Sequence, residues 1–317
     1  MIIEKLSNHE SLPALVRPEH GDADLLGFAE RERERIRRAT VEHGAILFRD
    51  FRVESPAVFN QFCRLLTHEL LPYTERSTPR SHVEGEVYTS TEYPPEATIP
   101  LHCEMAYTKT WPSYLWFYSQ IAAETGGETP ICDAMKVYEL ISQKTRERFA
   151  ELGVLYVRNF RKGIDLPWQE VYGVNTESEL EAYCSSHDIG FEWLEQGVLR
   201  TRARAQAVIR HPSKGQMVWF NQAHLFHVSN LEPTLRGFLL KRYTELGVPR
   251  NSFYGDGSAI EPEVLAEIRT AYAQAELAFP WEAGDVLMLD NMQVSHGRRP
   301  FTGARKTLVA MAEAFSA

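Results

Sequence analysis

The stretch "SYLWFYSQI" at 113–121 constrains the fold more than any other part of the chain. It is dense in aromatic and β-branched residues, which suit a pleated, packed surface and not a solvated helix. "VLYVRNF" (154–160), "WEAGDVLMLDN" (281–291) and "RKTLVAMAEAF" (305–315) have the same character. "AQAVIRHPSKGQMVWFNQ" predicts two strands joined by a Pro-Ser-Lys-Gly turn, and "GGETPICD" a turn into a further strand. Such short strands fill the middle and the end of the sequence. Helical patterns fall at the start and in the connections. That distribution predicts a mainly β protein with α elements, a sandwich or barrel decorated by helices, and it disfavours a βαβ sheet.

The helical segments carry their own signals. "DLLGFAERERERIRRATVEHG" (24–44) is a charged amphipathic helix running into the short strand "AILFRDF". "SPAVFNQFCRLLTHEL" opens with a Ser cap and Pro, as helices do. Residues 134–153 predict one helix ending at Gly153. Further helices are expected over 176–190 and 261–276. "YGDGSA" (254–259) is a glycine pair in a turn and not a phosphate loop.

Composition excludes several function classes. The net charge is −9 with no basic block, so nucleic acid has no electrostatic footprint. No segment approaches the roughly 20 apolar residues of a membrane span. The N-terminus lacks the apolar core of a signal peptide. Cys63, Cys103, Cys132 and Cys184 have neither disulfide nor zinc spacing. A reduced, cytoplasmic protein is expected.

Chemistry concentrates around "IPLHCEMAY" (99–107). On a strand, alternate side chains share a face, so His102 and Glu104 would point together and Cys103 away. Such a pair can be an ion pair, a proton relay or part of a metal site. An iron(II) oxygenase needs two histidines and one carboxylate on one side of the metal, with positions left open. His296, in "LMLDNMQVSHGRRPF", sits after an apolar strand and could supply the third ligand. Arg305 follows shortly and would lie on the strand beside it. Its planar guanidinium could grip a carboxylate with two hydrogen bonds. Thr129 could add a hydroxyl to the same carboxylate.

"IPLHCEMAY", "ETGGETPICD" and "DNMQVSHGRRPFTGARK" together resemble the iron(II)/2-oxoglutarate-dependent dioxygenases of the taurine dioxygenase (TauD/TfdA) superfamily. The resemblance runs from about residue 40 to the C-terminus. It implies a double-stranded β-helix, or jelly-roll, core within a single domain spanning 1–317, with 134–280 as a lid insertion. It implies Fe(II), 2-oxoglutarate and O2 as cofactor and co-substrates, a facial triad of His102, Glu104 and His296, and 2-oxoglutarate contacts from Thr129 and Arg305. Most superfamily members have aspartate where this chain has Glu104. Glutamate resembles the clavaminate-synthase-like branch, whose members often oxidise amino acids. Retaining the carboxylate argues against halogenation. The gap from His296 to Arg305 is shorter than in many members, so Arg299 competes as the anchor.

"LPWQEVYG", "RHPSKGQMVWFNQAHLFHVS" and "PRNSFYGDGS" are similar to the SyrP-like hydroxylases of nonribosomal-peptide pathways. That resemblance implies hydroxylation of an amino-acid side chain, free or tethered to a peptidyl carrier protein, in antibiotic biosynthesis. Desaturation or epoxidation by the same cofactors, and a non-catalytic dicarboxylate-binding jelly roll, are the alternatives. Ser90 is a candidate for the pocket floor. Asn221 and Gln222 could bind an amino-acid backbone. Arg158, Arg161 and Lys162 could form a cationic lid or carrier-docking patch. His224 and His227, three apart, are expected to be structural.

Overall fold

The computed structural model describes residues 1–7, 10–19 and 23–316. At its centre the strand Thr110–Ile121 pairs antiparallel with Val286–Asp290 on one side and Lys306–Ser316 on the other. These belong to an eight-stranded sheet that also takes in Ala45–Phe48, Val87–Thr89 and the N-terminal strands. Alternation along the strands gives the sheet two apolar faces. Trp116 and Tyr118 share one face with Ile46, Phe48, Met288 and Leu308. Leu115 and Phe117 share the other with Leu47, Leu287, Val309 and Met311.

The helices Leu25–His43 and Pro56–Leu66 cover the first face, burying Phe28, Ile36, Phe59 and Phe62 against it. Each starts as the sequence predicts. The Asp24 carboxylate accepts from the Leu26 N–H, and the Ser55 hydroxyl from the Val58 N–H. The first helix stops at Gly44, whose φ of +81° is a conformation a side chain would strain.

The second face looks toward a three-stranded sheet ordered Ile99–His102, Val294–Arg298, Ile131–Asp133. Val294 and Ile131 share a core with Leu115 and Phe117.

The segment 134–280 is more substantial than a flap. It contains a four-stranded sheet (Ile189–Leu194, Val198–Ala205, Val154–Phe160, Arg250–Tyr254) and the expected hairpin, Val208–Arg210 with Met217–Trp219. Phe149, Tyr156, Trp219, Tyr254 and Ile268 form a core that it shares with Leu101, Tyr107 and Cys132. The single helix expected over 134–153 is two, Ala134–Leu140 and Gln143–Leu152. The break falls where the Ser142 hydroxyl caps the second helix by accepting from the Thr145 N–H. The structure is thus a mixed α/β architecture with several sheets. No helix among the described residues is long and apolar enough to cross a membrane.

Candidate metal centre

His296 and His102 face each other across adjacent antiparallel strands, with ring centroids 4.5 Å apart. His296 lies in the middle of the strand Val294–Arg298 and not beyond a strand end, as its sequence context suggested. The next residue lets the strands approach: a Cβ on Gly297 would stand 2.6 Å from the Ile99 carbonyl oxygen.

Glu104 reaches the same point by a different route from the expected one. The strand ends at His102, and Glu104 sits in a turn that continues through Met105 at φ +56°. Pleat alternation therefore does not aim it. Asn291 does. The Glu104 N–H donates to Asn291 Oδ1 at 2.7 Å, and Asn291 Nδ2 donates to the Glu104 carbonyl at 3.0 Å. Gln222 Nε2 secures the preceding carbonyl, Cys103 O, at 2.7 Å. Cys103 itself points toward Ser295, and burial pushes its thiol up to about 12.

Ligand atoms of His102, Glu104 and His296 all lie within 4.8 Å of one another. His102 Nδ1 donates to the Pro100 carbonyl at 2.8 Å, which leaves its Nε2 lone pair for a metal. Burial, then the neighbouring His296, lowers the His102 pKa to about 4, so the imidazole is neutral at ordinary pH. Burial pushes Glu104 up, but the Arg80 guanidinium and the two imidazoles outweigh it and hold the carboxyl well below the usual range. Two imidazoles and one carboxylate make a donor set that fits iron(II).

Arg80 is the residue that sequence reasoning missed. Its Nη2 donates to Glu104 Oε2 at 2.8 Å, and its guanidinium stacks over Tyr73 at 4.3 Å. It sits in a polar, turn-rich segment with no periodicity to single it out.

A cavity of about 30 Å³ opens on the histidines, lined also by Arg80, Ser90, Thr129, Arg305 and Thr307. Trp281 Nε1 donates to Thr129 Oγ1 at 3.0 Å, so the threonine proton is free to donate elsewhere. Arg305 does not lie on the strand beside His296. It precedes Lys306–Ser316 of the larger sheet and reaches the cavity from there, its Nε held by the Gly127 carbonyl at 2.9 Å. Burial, then Arg298, lowers its pKa to about 10, where it remains a cation at neutral pH. Arg299 instead forms an ion pair with Glu276, its side chain 44% exposed, and does not line this cavity.

Other candidates fare differently. Arg158 is not on an exposed lid. It lies within the strand Val154–Phe160, is 7% exposed, and donates to the Arg76 carbonyl. Arg161 packs over Tyr243, while Lys162 is exposed, so the three do not form one surface patch. Asn221 is buried with both ends committed to backbone: Nδ2 donates to Ala207 O, and Oδ1 accepts from the Ala223 N–H. It is fully buried and lines neither the cavity at the histidines nor the larger one. His224 Nε2 donates to the Leu101 carbonyl beside His102, and the His227 ring pairs with Ser229, so neither joins the metal cluster. A larger cavity of about 550 Å³, bounded by Met105, Tyr107, Trp111 and Tyr183, contains none of the three ligands.

The family described as "Taurine catabolism dioxygenase TauD, TfdA family" matches residues 8–312. The chain is 45% identical over 270 residues to the dapdiamide synthesis protein DdaC of Enterobacter agglomerans, covering 85% of this chain and 82% of that one. It is 33% identical over 281 residues to a clavaminate synthase-like protein of Arabidopsis thaliana, again covering 85% and 82%. Its fold is similar to that of PvcB from Pseudomonas aeruginosa, an Fe, alpha-ketoglutarate dependent oxygenase from an isonitrile synthetic pathway (TM-score 0.54, 17% identity, 94% and 84% covered). It is also similar in fold to a taurine dioxygenase from Burkholderia xenovorans (TM-score 0.55, 16% identity, 98% and 88% covered).

Proposed function

This chain belongs to the TauD/TfdA family of iron(II)- and 2-oxoglutarate-dependent dioxygenases, and from that premise we propose that it hydroxylates an amino-acid side chain in natural-product biosynthesis. The observation that carries the reading is the convergence of His102, Glu104 and His296 in one cluster, with Glu104 and His296 buried. The likeness to a dapdiamide synthesis protein supports the biosynthetic setting. We read the eight-stranded and three-stranded sheets as the two sides of a jelly-roll core, and 134–280 as an insertion that lids it.

When bound, iron(II) with 2-oxoglutarate and O2 supplies the oxidising power: 2-oxoglutarate becomes succinate and CO2, one oxygen atom enters succinate, and the other enters the substrate C–H bond. The protein's part is positioning and exclusion. His102, Glu104 and His296 would hold the metal from one side. Arg305 and Thr129 would receive the distal carboxylate of 2-oxoglutarate, Arg305 as a fixed cation and Thr129 through the proton that Trp281 leaves free. Phe117 packs on the His296 ring at 4.9 Å and keeps water from that side. Ser90 borders the same cavity and is read as part of its floor. The larger cavity beyond Met105 and Tyr107 has room for an amino-acid substrate, free or carried on a protein.

The test supplies iron(II), 2-oxoglutarate and O2, with a panel of amino acids offered free and loaded on a peptidyl carrier. Succinate formation coupled to a gain of one oxygen by an amino acid is the expected result. Succinate formation that no amino acid in either form stimulates would overturn the substrate class.

A further inference from the structure

The metal pocket contains a cation that the triad and Arg305 do not account for. Arg80 is 8% exposed. One N–H of Nη2 donates to Glu104 Oε2 at 2.8 Å. Nε and Nη1 are buried with no hydrogen-bond partner among the described residues. A buried guanidinium with idle N–H groups is costly unless something satisfies them. The tyrosine face beneath it, Tyr73 at 4.3 Å, stabilises the charge but accepts no hydrogen bond in the guanidinium plane.

The group is also held firmly. The Pro79 carbonyl accepts from the Glu92 N–H at 3.1 Å. The Ser81 N–H donates to Thr89 Oγ1, and the Ser81 carbonyl accepts from the Thr89 N–H, each at 2.8 Å. Backbone bonds on both sides of Arg80 therefore fix its position. Its side chain lines the same cavity as His102, His296, Thr129 and Arg305. The arrangement leaves Nε, Nη1 and the second Nη2 proton beside the metal ligands with no acceptor among the described residues, and that Nη2 proton completes a two-pronged edge with either of the other two.

We propose that Arg80 is a second carboxylate receptor of the metal pocket, distinct from Arg305. The carboxylate comes either from the keto-acid end of 2-oxoglutarate or from the organic substrate. Both present planar oxygen pairs that a guanidinium matches. Through Nη2 the same side chain positions Glu104, so it couples metal holding to anion binding. The inference rests on the assignment of His102, Glu104 and His296 as metal ligands.

The experiment uses the full chain loaded with Mn(II), which binds keto acids without turnover. Calorimetry measures 2-oxoglutarate and 2-oxovalerate, the latter lacking the distal carboxylate that Arg305 would take. The variants are Arg80→Gln, which keeps a donor toward Glu104 but loses the charge, and Arg80→Lys, which keeps the charge and folds if Gln does not. Mn(II) affinity and melting temperature are measured alongside. With metal at saturation, Arg80→Gln is expected to weaken both keto acids by about ten- to hundredfold, and Arg80→Lys to recover part of the loss. If the keto acids are unchanged but aspartate or N-acetylaspartate, titrated into the Mn(II)- and 2-oxoglutarate-loaded protein, weakens by that factor, the receptor serves the substrate. Unchanged affinity for every probe at saturating metal would overturn the proposal and leave Arg80 as a neutraliser of Glu104. Failure of the unsubstituted protein to bind Mn(II) would strike down the metal assignment, and the receptor with it.

Discussion

Arg80 Nη2 and Glu104 Oε2 stand 2.8 Å apart, with side chains only 4% and 3% exposed. Neither charge can be removed without leaving the other buried. Breaking such a pair is far more costly than the net worth of the pair itself. Substituting Glu104 therefore has a structural consequence beyond the site itself.

Glu104→Ala is expected to abolish succinate formation and iron retention, and also to destabilise the fold by about 3–5 kcal/mol, because Arg80 is left unpaired. Glu104→Gln keeps an acceptor for Arg80 and should lose iron with a smaller stability cost. Urea melts and iron stoichiometry on both variants check this. Equal melts for Glu104→Ala and the unsubstituted protein would contradict it.

Arg305→Gln should raise the KM for 2-oxoglutarate by roughly ten- to a hundredfold, the worth of a charge-assisted bond to the distal carboxylate. Arg299→Gln should leave it unchanged, since Arg299 is occupied by Glu276 outside the cavity. A KM that rises for Arg299→Gln and not for Arg305→Gln would reverse the assignment.

The sequence made the triad legible because its members carry distinctive chemistry. The route by which they meet was less legible. His102 and Glu104 are two apart, which suggests one strand face, yet the strand ends at His102 and Asn291 holds the turn that aims Glu104. Nothing in "LDNMQ" announces that an asparagine there binds backbone far upstream. Arg158 read as a lid cation because "VRNFRKG" is basic, but strand position decides burial, and it lies inside the sheet. Asn221 looked like a recognition group, but its amide is buried and bonds to neighbouring backbone at each end. Long strands were readable from composition alone. Polar residues whose partners are distant in sequence, Arg80 above all, became visible only in three dimensions.

Trp281 is expected to act through Thr129. It donates to Thr129 Oγ1 at 3.0 Å and so fixes which way the threonine proton can point. Thr129→Val should raise the KM for 2-oxoglutarate by about tenfold, the worth of one hydrogen bond to a charged acceptor. Trp281→Phe should give a smaller rise in the same constant, with kcat retained. In the Thr129→Val background, Trp281→Phe should add nothing further to the KM, a coupling that a double-mutant cycle measures.

Acid sensitivity of the metal-free protein follows from its buried histidines. Burial, outweighing the Leu101 carbonyl, lowers the His224 pKa to about 3. Burial, then Arg269, lowers that of His227 to about 4, and His102 also falls to about 4. An unfolded histidine titrates near 6.5 (about the model-peptide value). Below about pH 6.5 the unfolded chain therefore binds protons that the folded one refuses, and stability rises with pH across this window. The histidines impose no penalty above pH 6.5. They impose a growing one as pH falls toward 4, and His224 continues toward 3. The buried His224 contributes a slope of at most about 1.4 kcal/mol per pH unit, and the partly exposed His102 and His227 contribute less. Carboxylates begin to titrate near the lower end, so the clean window is about pH 6.5 to 5. Urea melts of metal-free protein across that window should show stability falling steadily, and more shallowly in His224→Gln, whose amide can still donate to Leu101. A flat profile in the unsubstituted protein, or one unchanged in His224→Gln, would show that His224 does not stay neutral in the fold.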